Sequence, residues 1–179
     1  MAALTAVGTI LMGRLEQART QAVFESYAQD SIQRLNDRIE GFVRTLDGAG
    51  AFFAASTFVS EQDWRAYVEI LDIDINLPGV LGLGFISLVQ EGDASGFRQQ
   101  SLSRGYIPPP IYPDTGLPER YVIEYIEPIE TNRPAIGLDI GFEEGRRTAA
   151  LRARETNTVQ LTPPIKLVQD NESKAGFLL

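Results

Sequence analysis

The sequence contains no cysteine and no histidine. Without cysteine there is no thiol nucleophile and no disulfide framework, so the redox compartment leaves no mark on the composition. Without either residue, zinc sites of the Cys/His type and any Ser-His-Asp arrangement are excluded. Basic charge is scarce as well: 16 Lys and Arg stand against 24 Asp and Glu, a formal net charge of −8. Phosphate neutralisation needs clustered cations. The one arginine concentration, Arg146, Arg147, Arg152 and Arg154, is interleaved with Glu143, Glu144 and Glu155. Nucleic acid is therefore not expected as a partner. A dinucleotide loop is missing too, since Gly82 and Gly84 would need a glycine at position 87, where Ser87 stands. No catalytic residue, metal site or cofactor is expected.

What is present begins with an uncharged start. Residues 2–13, AALTAVGTILMG, carry no charged side chain. A bilayer takes about 17–25 apolar residues to span, and the run lacks the basic leader of a signal peptide. Two readings stay open for residues 1–13: the end of a transmembrane helix, or the apolar first turns of a soluble one. From Arg14 to about Asp47 the pattern is that of one long helix without proline. Ala28, Ile32, Leu35, Ile39, Phe42 and Leu46 follow one another at alternating steps of four and three, a heptad-type seam with polar flanks. The seam packs on its own domain, or Ile32, Leu35, Ile39, Phe42 and Leu46 form a dimer stalk; both can hold at different heights. Gly48 and Gly50 are expected to end or kink this helix.

With 179 residues, 44% of them hydrophobic, there is material for one large domain or two small ones. Ser60-Glu61-Gln62-Asp63 has the pattern of a capping box and opens a second helix, with Trp64, Tyr67, Val68 and Leu71 on one buried face. Val80 to Val89 predicts a strand in which the glycines allow close backbone approach. A short helix through Phe97 and Leu102 follows, then the extended Pro108-Pro109-Pro110. Tyr121, Ile123 and Tyr125 alternate with Val122, Glu124 and Ile126, as in a strand with one wetter face. A turn at Asn132–Pro134 and a returning strand AIGLDI would complete an antiparallel hairpin. Glu143 to about Glu155 predicts a helix, acidic at its start and basic at its end. Asn157 is then a left-handed cap, Thr158–Thr162 the start of a strand, and AGFLL a further strand. The fold class is α+β, short antiparallel strands with helices to one side.

Four pieces in this order and spacing resemble the CHASE domain. They are GAGAFFAASTFVSEQDWRAYV, PGVLGLGFISLV, YIEPIETNRPAIGLDIGFEEGRRTAALRARETNTVQLTPPIKLVQD and AGFLL. This family is the extracytoplasmic sensor domain of bacterial histidine kinases and cyclases and of the plant cytokinin receptors. The resemblance runs from about Gly48 to Leu179. It implies a long N-terminal stalk helix, residues 14–47, that descends from the membrane and mediates homodimerisation. Two stacked PAS-like antiparallel-sheet modules would follow: a membrane-distal one over 48–141 that binds a small molecule, and a membrane-proximal one over 142–179, incomplete at the C-terminus. It also implies flanking transmembrane helices and a domain facing the periplasm or extracellular side. Cytokinin receptors carry an acidic residue on the approach to the strand matching Tyr121–Ile126, where this chain reads Pro118-Glu119-Arg120. Their disulfide between stalk and core cannot form here.

The candidate ligand-binding residues are Phe85, Tyr106, Glu119, Tyr121, Tyr125 and Asp139, each weighed against a purely structural role. Phe85, Tyr106, Tyr121 and Tyr125 are aromatics of the distal sheet, and pocket walls of this kind are mostly apolar. Asp139 sits inside an apolar run and is expected in an ion pair with Arg146 or Arg147, with ligand contact as the alternative. Glu124, Glu127 and Glu130 read as a solvated strand edge. The function expected is small-molecule sensing for a membrane-bound signalling receptor, with no enzyme activity in this chain. The alternative is a soluble protein–protein interaction domain working through its amphipathic helix. The stretch LRARETNTVQLTPP, residues 151–164, reads as the junction between the two modules.

Overall fold

Helix formers without an internal proline carry the first helix, α1, from Ala2 to Ala55 in a computed structural model. The structure describes residues 2–103, 105–168 and 175–179, without the side chains of 2–15, 17 and 18. The side chains behind the membrane-exit reading of residues 1–13 thus lie outside the described ones. Among the described residues no helix is long and apolar enough to cross a membrane. The chain divides into two compact units, Met1–Thr45 and Leu46–Leu179.

In the first unit the exposed surface of α1 carries Phe24, Tyr27, Ile32, Leu35 and Ile39. Ion pairs at helical spacing, such as Arg44 with Glu40 at 3.3 Å, decorate its polar side.

In the second unit α1 continues through Gly48 and Gly50 to Ala55, and the helix end expected there is displaced by seven residues or fewer. Each glycine costs a helix about 1 kcal/mol. Burial outweighs that here: Ala49 is in the core, and Leu46, Phe52 and Phe53 pack against it.

Helix α2 (Glu61–Leu71) starts as its sequence predicts. The Ser60 side chain accepts from the Asp63 N–H at 3.1 Å, and the Asp63 carboxylate accepts from the Ser60 N–H at 2.9 Å. The Ser60 hydroxyl, which also donates to the Asp63 carboxylate at 2.6 Å, and then the Ser60 N–H hold that carboxyl below the usual aspartate range. A left-handed Asp72 separates α2 from the short α3 (Ile73–Asn76). Strand β1 (Leu83–Gln90) leads to α4 (Ala94–Ser103), and β2 spans Glu119–Glu127. After the one-turn α5 (Ile129–Asn132) come two 3-10 turns, Arg133–Ala135 and Ile140–Phe142, and then α6 (Glu144–Thr156). Two-residue strands β3 (Ile165–Lys166) and β4 (Ala175–Gly176) pair antiparallel.

β1 and β2 run antiparallel from Leu83 opposite Glu127 to Gln90 opposite Glu119. The register slips once: Phe85 faces Tyr125 and Ile86 faces Ile123, so Glu124 is an extra residue on β2. A bulge of this kind reverses the phase of side chains along the strand. Before it, Tyr121 and Ile123 pack in a cluster with Leu138 and Ile140; after it, Ile126 rejoins that cluster and Tyr125 leaves it for the core built on Trp64.

Two expectations are corrected. AIGLDI is not a returning strand in a hairpin. It meets β2 through one bridge, Val122 to Asp139, and the segment before β2 through another, Tyr112 to Leu138. Pro134 has no N–H for a ladder, and Gly137 turns at φ +83° with Pro109 so close that a Cβ would stand 2.9 Å from its ring. Thr158–Thr162 is likewise not a strand: Thr162 donates its N–H to Leu178 O at 2.9 Å, but the ladder starts only at Ile165. Two other expectations hold. Asn157 is left-handed at φ 51°, and the glycines do permit close approach: a Cβ on Gly84 of β1 would stand 3.0 Å from Tyr125 O, and one on Gly82, just before β1, 2.7 Å from Asn132 Nδ2.

Candidate functional site

Phe85, Tyr106 and Tyr125 are brought together. Tyr125 lies 5.9 Å from Phe85 and 5.8 Å, edge to face, from Tyr106, measured between ring centroids. Phe85 stacks in turn on Phe53 at 4.2 Å, and Phe53 meets Trp64 at 5.5 Å. Edge-to-face and offset-stacked pairs add to plain apolar burial. The Trp64 Nε1–H donates to Leu83 O at 3.3 Å, and the Tyr125 hydroxyl donates to Val59 O at 3.4 Å. This aromatic core joins the end of α1, α2, β1 and β2.

Tyr106 differs from its neighbours. It is 8% exposed, and its hydroxyl oxygen is buried without a hydrogen-bond partner among the described residues. Burial pushes the phenol well above its usual range, and the charges of Glu61 and Glu124 push further in the same direction. Unpaired polar atoms at such depth are rare enough to need a reason. The chain reaches Tyr106 through Gly105, whose φ of +74° lets it leave α4 and fold back so that the Tyr106 N–H meets Ser101 O at 3.0 Å.

Helix α4 covers the carboxylate at the bulge. Glu124 is 1% exposed and accepts from the Ser87 hydroxyl of β1 and from Ser101 of α4, the latter at 3.2 Å. The reading of Glu124 and Glu127 as a solvated strand edge is therefore wrong. Glu127 is 6% exposed, pairs with Arg65 of α2 at 2.9 Å and accepts from the Ile129 N–H. Only Glu130 is exposed. Strict alternation assigned Glu124 to a wet face. Its neighbours in sequence hinted otherwise, because Val122 and Ile126 leave no polar company on that face.

A cavity of about 610 Å³ opens along the first turns of α2, lined from Ser60 to Glu69 and by Gly105. Small-molecule sites fall in the range of about 300–1,000 Å³. Gly105, at the edge of the cavity, is the residue before Tyr106 in the sequence.

Glu119, Tyr121 and Asp139 form a separate group. Glu119 accepts from Gln90 at 3.2 Å and from Arg154 of α6 at 2.9 Å, and both bonds hold its carboxyl below the usual glutamate range. The Arg154 guanidinium stands 6.0 Å over the Tyr121 ring. Asp139 is fully buried, but the ion pair expected for it is not formed with Arg146 or Arg147. Its Oδ1 accepts from the N–H groups of Tyr121 and Gly141, both at 2.9 Å, and its Oδ2 from Thr115 at 3.2 Å. Arg147 donates to Gly141 O at 2.7 Å, and Arg146 to Glu143 at 2.7 Å and to Lys166 O at 2.6 Å. Backbone donors satisfy the carboxylate without a cation.

Among the described residues no group of His, Cys, Asp and Glu could hold a metal ion. The stalk residues divide by depth: Ile32, Leu35 and Ile39 are exposed, Phe42 is half-buried, and Leu46 packs on the aromatic core of its unit.

No curated protein matches this chain. The family model of the CHASE domain matches residues 57–179, which contain β1, α4, β2, α6 and nearly all of the site just described. The match covers the aromatic core from Val59 onward, the cavity and the buried carboxylates. The chain belongs to the CHASE domain family, whose members are sensor domains of signalling receptors.

Proposed function

We propose that this chain senses a small molecule on the extracytoplasmic side of a membrane-anchored receptor, and that the ligand seats against Tyr106. The observation that carries the reading is the buried Tyr106 hydroxyl, without a hydrogen-bond partner among the described residues, one residue on from Gly105 at the edge of a cavity of about 610 Å³. A ligand that bonds this hydroxyl would relieve the cost of its burial. Tyr125 packs edge to face on Tyr106 and against Phe85, and Ser87 and Ser101 hold the Glu124 carboxylate. Glu119, Tyr121 and Asp139 belong to the route from the site to α6 rather than to the ligand. Residues 48–141 act as the distal PAS-like module and 142–179 as the proximal one, with 151–164 as their junction.

The test uses Tyr106→Phe. Removing a buried, unbonded hydroxyl is expected to stabilise the free domain by about 1 kcal/mol, a rise of about 2–4 °C in Tm for a chain of this size. The same variant should lose the thermal shift that the wild-type domain shows with members of a panel of amines, amino acids, carboxylic acids and purines. A variant less stable than wild type, with an intact ligand response, would remove Tyr106 from the site.

The domain works as a homodimer through α1. Support comes from Ile32, Leu35 and Ile39, which present an exposed apolar seam at heptad spacing. Ligand binding would bias one of two arrangements of the paired stalks, and that bias is the signal. Ile39→Glu is expected to convert a dimer to a monomer in sedimentation velocity without lowering Tm. An unchanged sedimentation coefficient would count against the stalk.

A further inference from the structure

Helix α4 is held to the sheet by little. Of its ten residues only Phe97 and Ser101 are buried. Phe97 fills a small apolar cluster with Val89 of β1 and Val122 of β2. The Ser101 hydroxyl lies 3.2 Å from Glu124 and 3.0 Å from Phe97 O of its own helix, so it keeps an acceptor when α4 leaves β2. Gly92, at φ +80° with open space around it, leads into the helix.

Tyr106 is fastened to α4. The Gly105 N–H donates to Leu102 O and the Tyr106 N–H to Ser101 O, both at 3.0 Å, with Gly105 left-handed at φ +74°. This pair of bonds is the Schellman closure of a helix, and it ties Tyr106 to the last turn. Where α4 goes, Tyr106 goes. Docking of α4 therefore carries the phenol into the core, edge to face on Tyr125, with its hydroxyl unbonded among the described residues. A buried, unbonded hydroxyl costs free energy that water returns once the group is exposed.

A segment with few buried apolar contacts opens at a lower free energy than the whole domain. A helix of ten residues is marginal on its own, so α4 would melt once released. The cap of α4 also bounds the cavity: among the described lining residues Gly105 alone lies outside Ser60–Glu69. We propose that α4 and Tyr106 form one flap that undocks from β1 and β2 as a unit while α2 and β2 stay folded, its cap being the movable wall of the cavity. A ligand that bonds the phenol would hold the flap shut.

The proposal goes beyond the sensor reading and is tested without ligand, so its failure leaves that reading standing. The test is native-state hydrogen exchange of the whole 179-residue chain, followed by NMR over a series of low urea concentrations. The amides of Arg98 to Ser101 should exchange at least about tenfold faster than the slowest amides of α2 and β2. Their rates should also depend less on urea, because the opening exposes little surface. Tyr106→Phe removes the unbonded hydroxyl and should slow exchange in α4 about fivefold.

If the amides of α4 and β2 exchange at one rate with one urea dependence, α4 leaves only on global unfolding and the flap is overturned. If α4 exchanges early but Tyr106→Phe does not slow it, the helix opens without Tyr106, which overturns the proposal as well.

Discussion

Asp139→Ala is expected to lower the Tm of the domain by about 10 °C, the effect of about 4 kcal/mol in a chain of this size. The carboxylate is fully buried and serves two backbone donors with one oxygen, Tyr121 N–H and Gly141 N–H, each at 2.9 Å. Alanine removes that acceptor and leaves both donors without it, each at a cost of about 1–3 kcal/mol. The site also has no room to reorganise: a Cβ on Gly141 would stand 2.9 Å from Asp139 Oδ1, so the chain is already drawn tightly around the carboxylate. Asp139→Asn separates this cause from charge. An amide keeps one carbonyl oxygen for both N–H groups and turns its NH₂ toward the Thr115 hydroxyl, so it should recover more than half of the loss. The measurement is thermal unfolding followed by far-UV circular dichroism. If Asn proves as damaging as Ala, an unrecognised cation near Asp139 is the better explanation, and the expectation of an ion pair returns.

The fate of Asp139 shows which part of this architecture local pattern can reach. A carboxylate inside AIGLDI was expected either on a wet face or buried in an ion pair, because an unpaired charge at such a place is too costly. Its partners were not recognised, because they are backbone groups brought in by Tyr121, eighteen residues earlier, and by a 3-10 turn. Ser60 and Asp63 form the opposite case. Both halves of that capping box lie within four residues, and the structure has both bonds. The aromatic triad Phe85, Tyr106 and Tyr125 was legible for another reason: large apolar side chains on short strands are buried in nearly any α+β packing.

Glu124 was misplaced because period-two alternation does not say which face is covered. Val122, in the same phase, is buried against Phe97 of α4, and Glu124 meets Ser87 and Ser101 on that covered side, neither of them near it in sequence. The glycines of α1 misled in a related way. Propensity at Gly48 and Gly50 argues for a break, but the helix continues because Ala49, Phe52 and Phe53 gain more by burial than two glycines cost. In LRARETNTVQLTPP, the left-handed Asn157 was legible, and the reach of Arg154 to Glu119 and Tyr121 was not. That pair links the start of β2 to α6, while Arg146 links α6 to Lys166 O at the first residues of the small sheet. One side-chain connection therefore runs from β2 into α6, and another from α6 into the small sheet.

Trp64→Ala should be the most damaging single substitution in the second unit, with a loss of about 3–5 kcal/mol. Domains of this kind have only about 5–15 kcal/mol in total, so the variant should be near its unfolding midpoint at physiological temperature. Trp64 is 1% exposed and stands between Phe53 at 5.5 Å and Tyr67 at 5.6 Å. It also closes the core over β1 through the bond from Nε1–H to Leu83 O. Alanine removes the indole from a place where α1, α2 and β1 all supply rigid walls, so collapse cannot fill the cavity. Trp64→Phe keeps a ring against Phe53 and gives up the bond to Leu83 O, and it should cost less than half as much. Urea unfolding of both variants, followed by far-UV circular dichroism, decides the matter. A loss for Trp64→Ala no larger than that of an exposed residue would mean that the aromatic cluster is not the core of this unit. Tyr106 and Tyr125 pack on that same cluster, so their placement as the wall of a ligand site would fall with it.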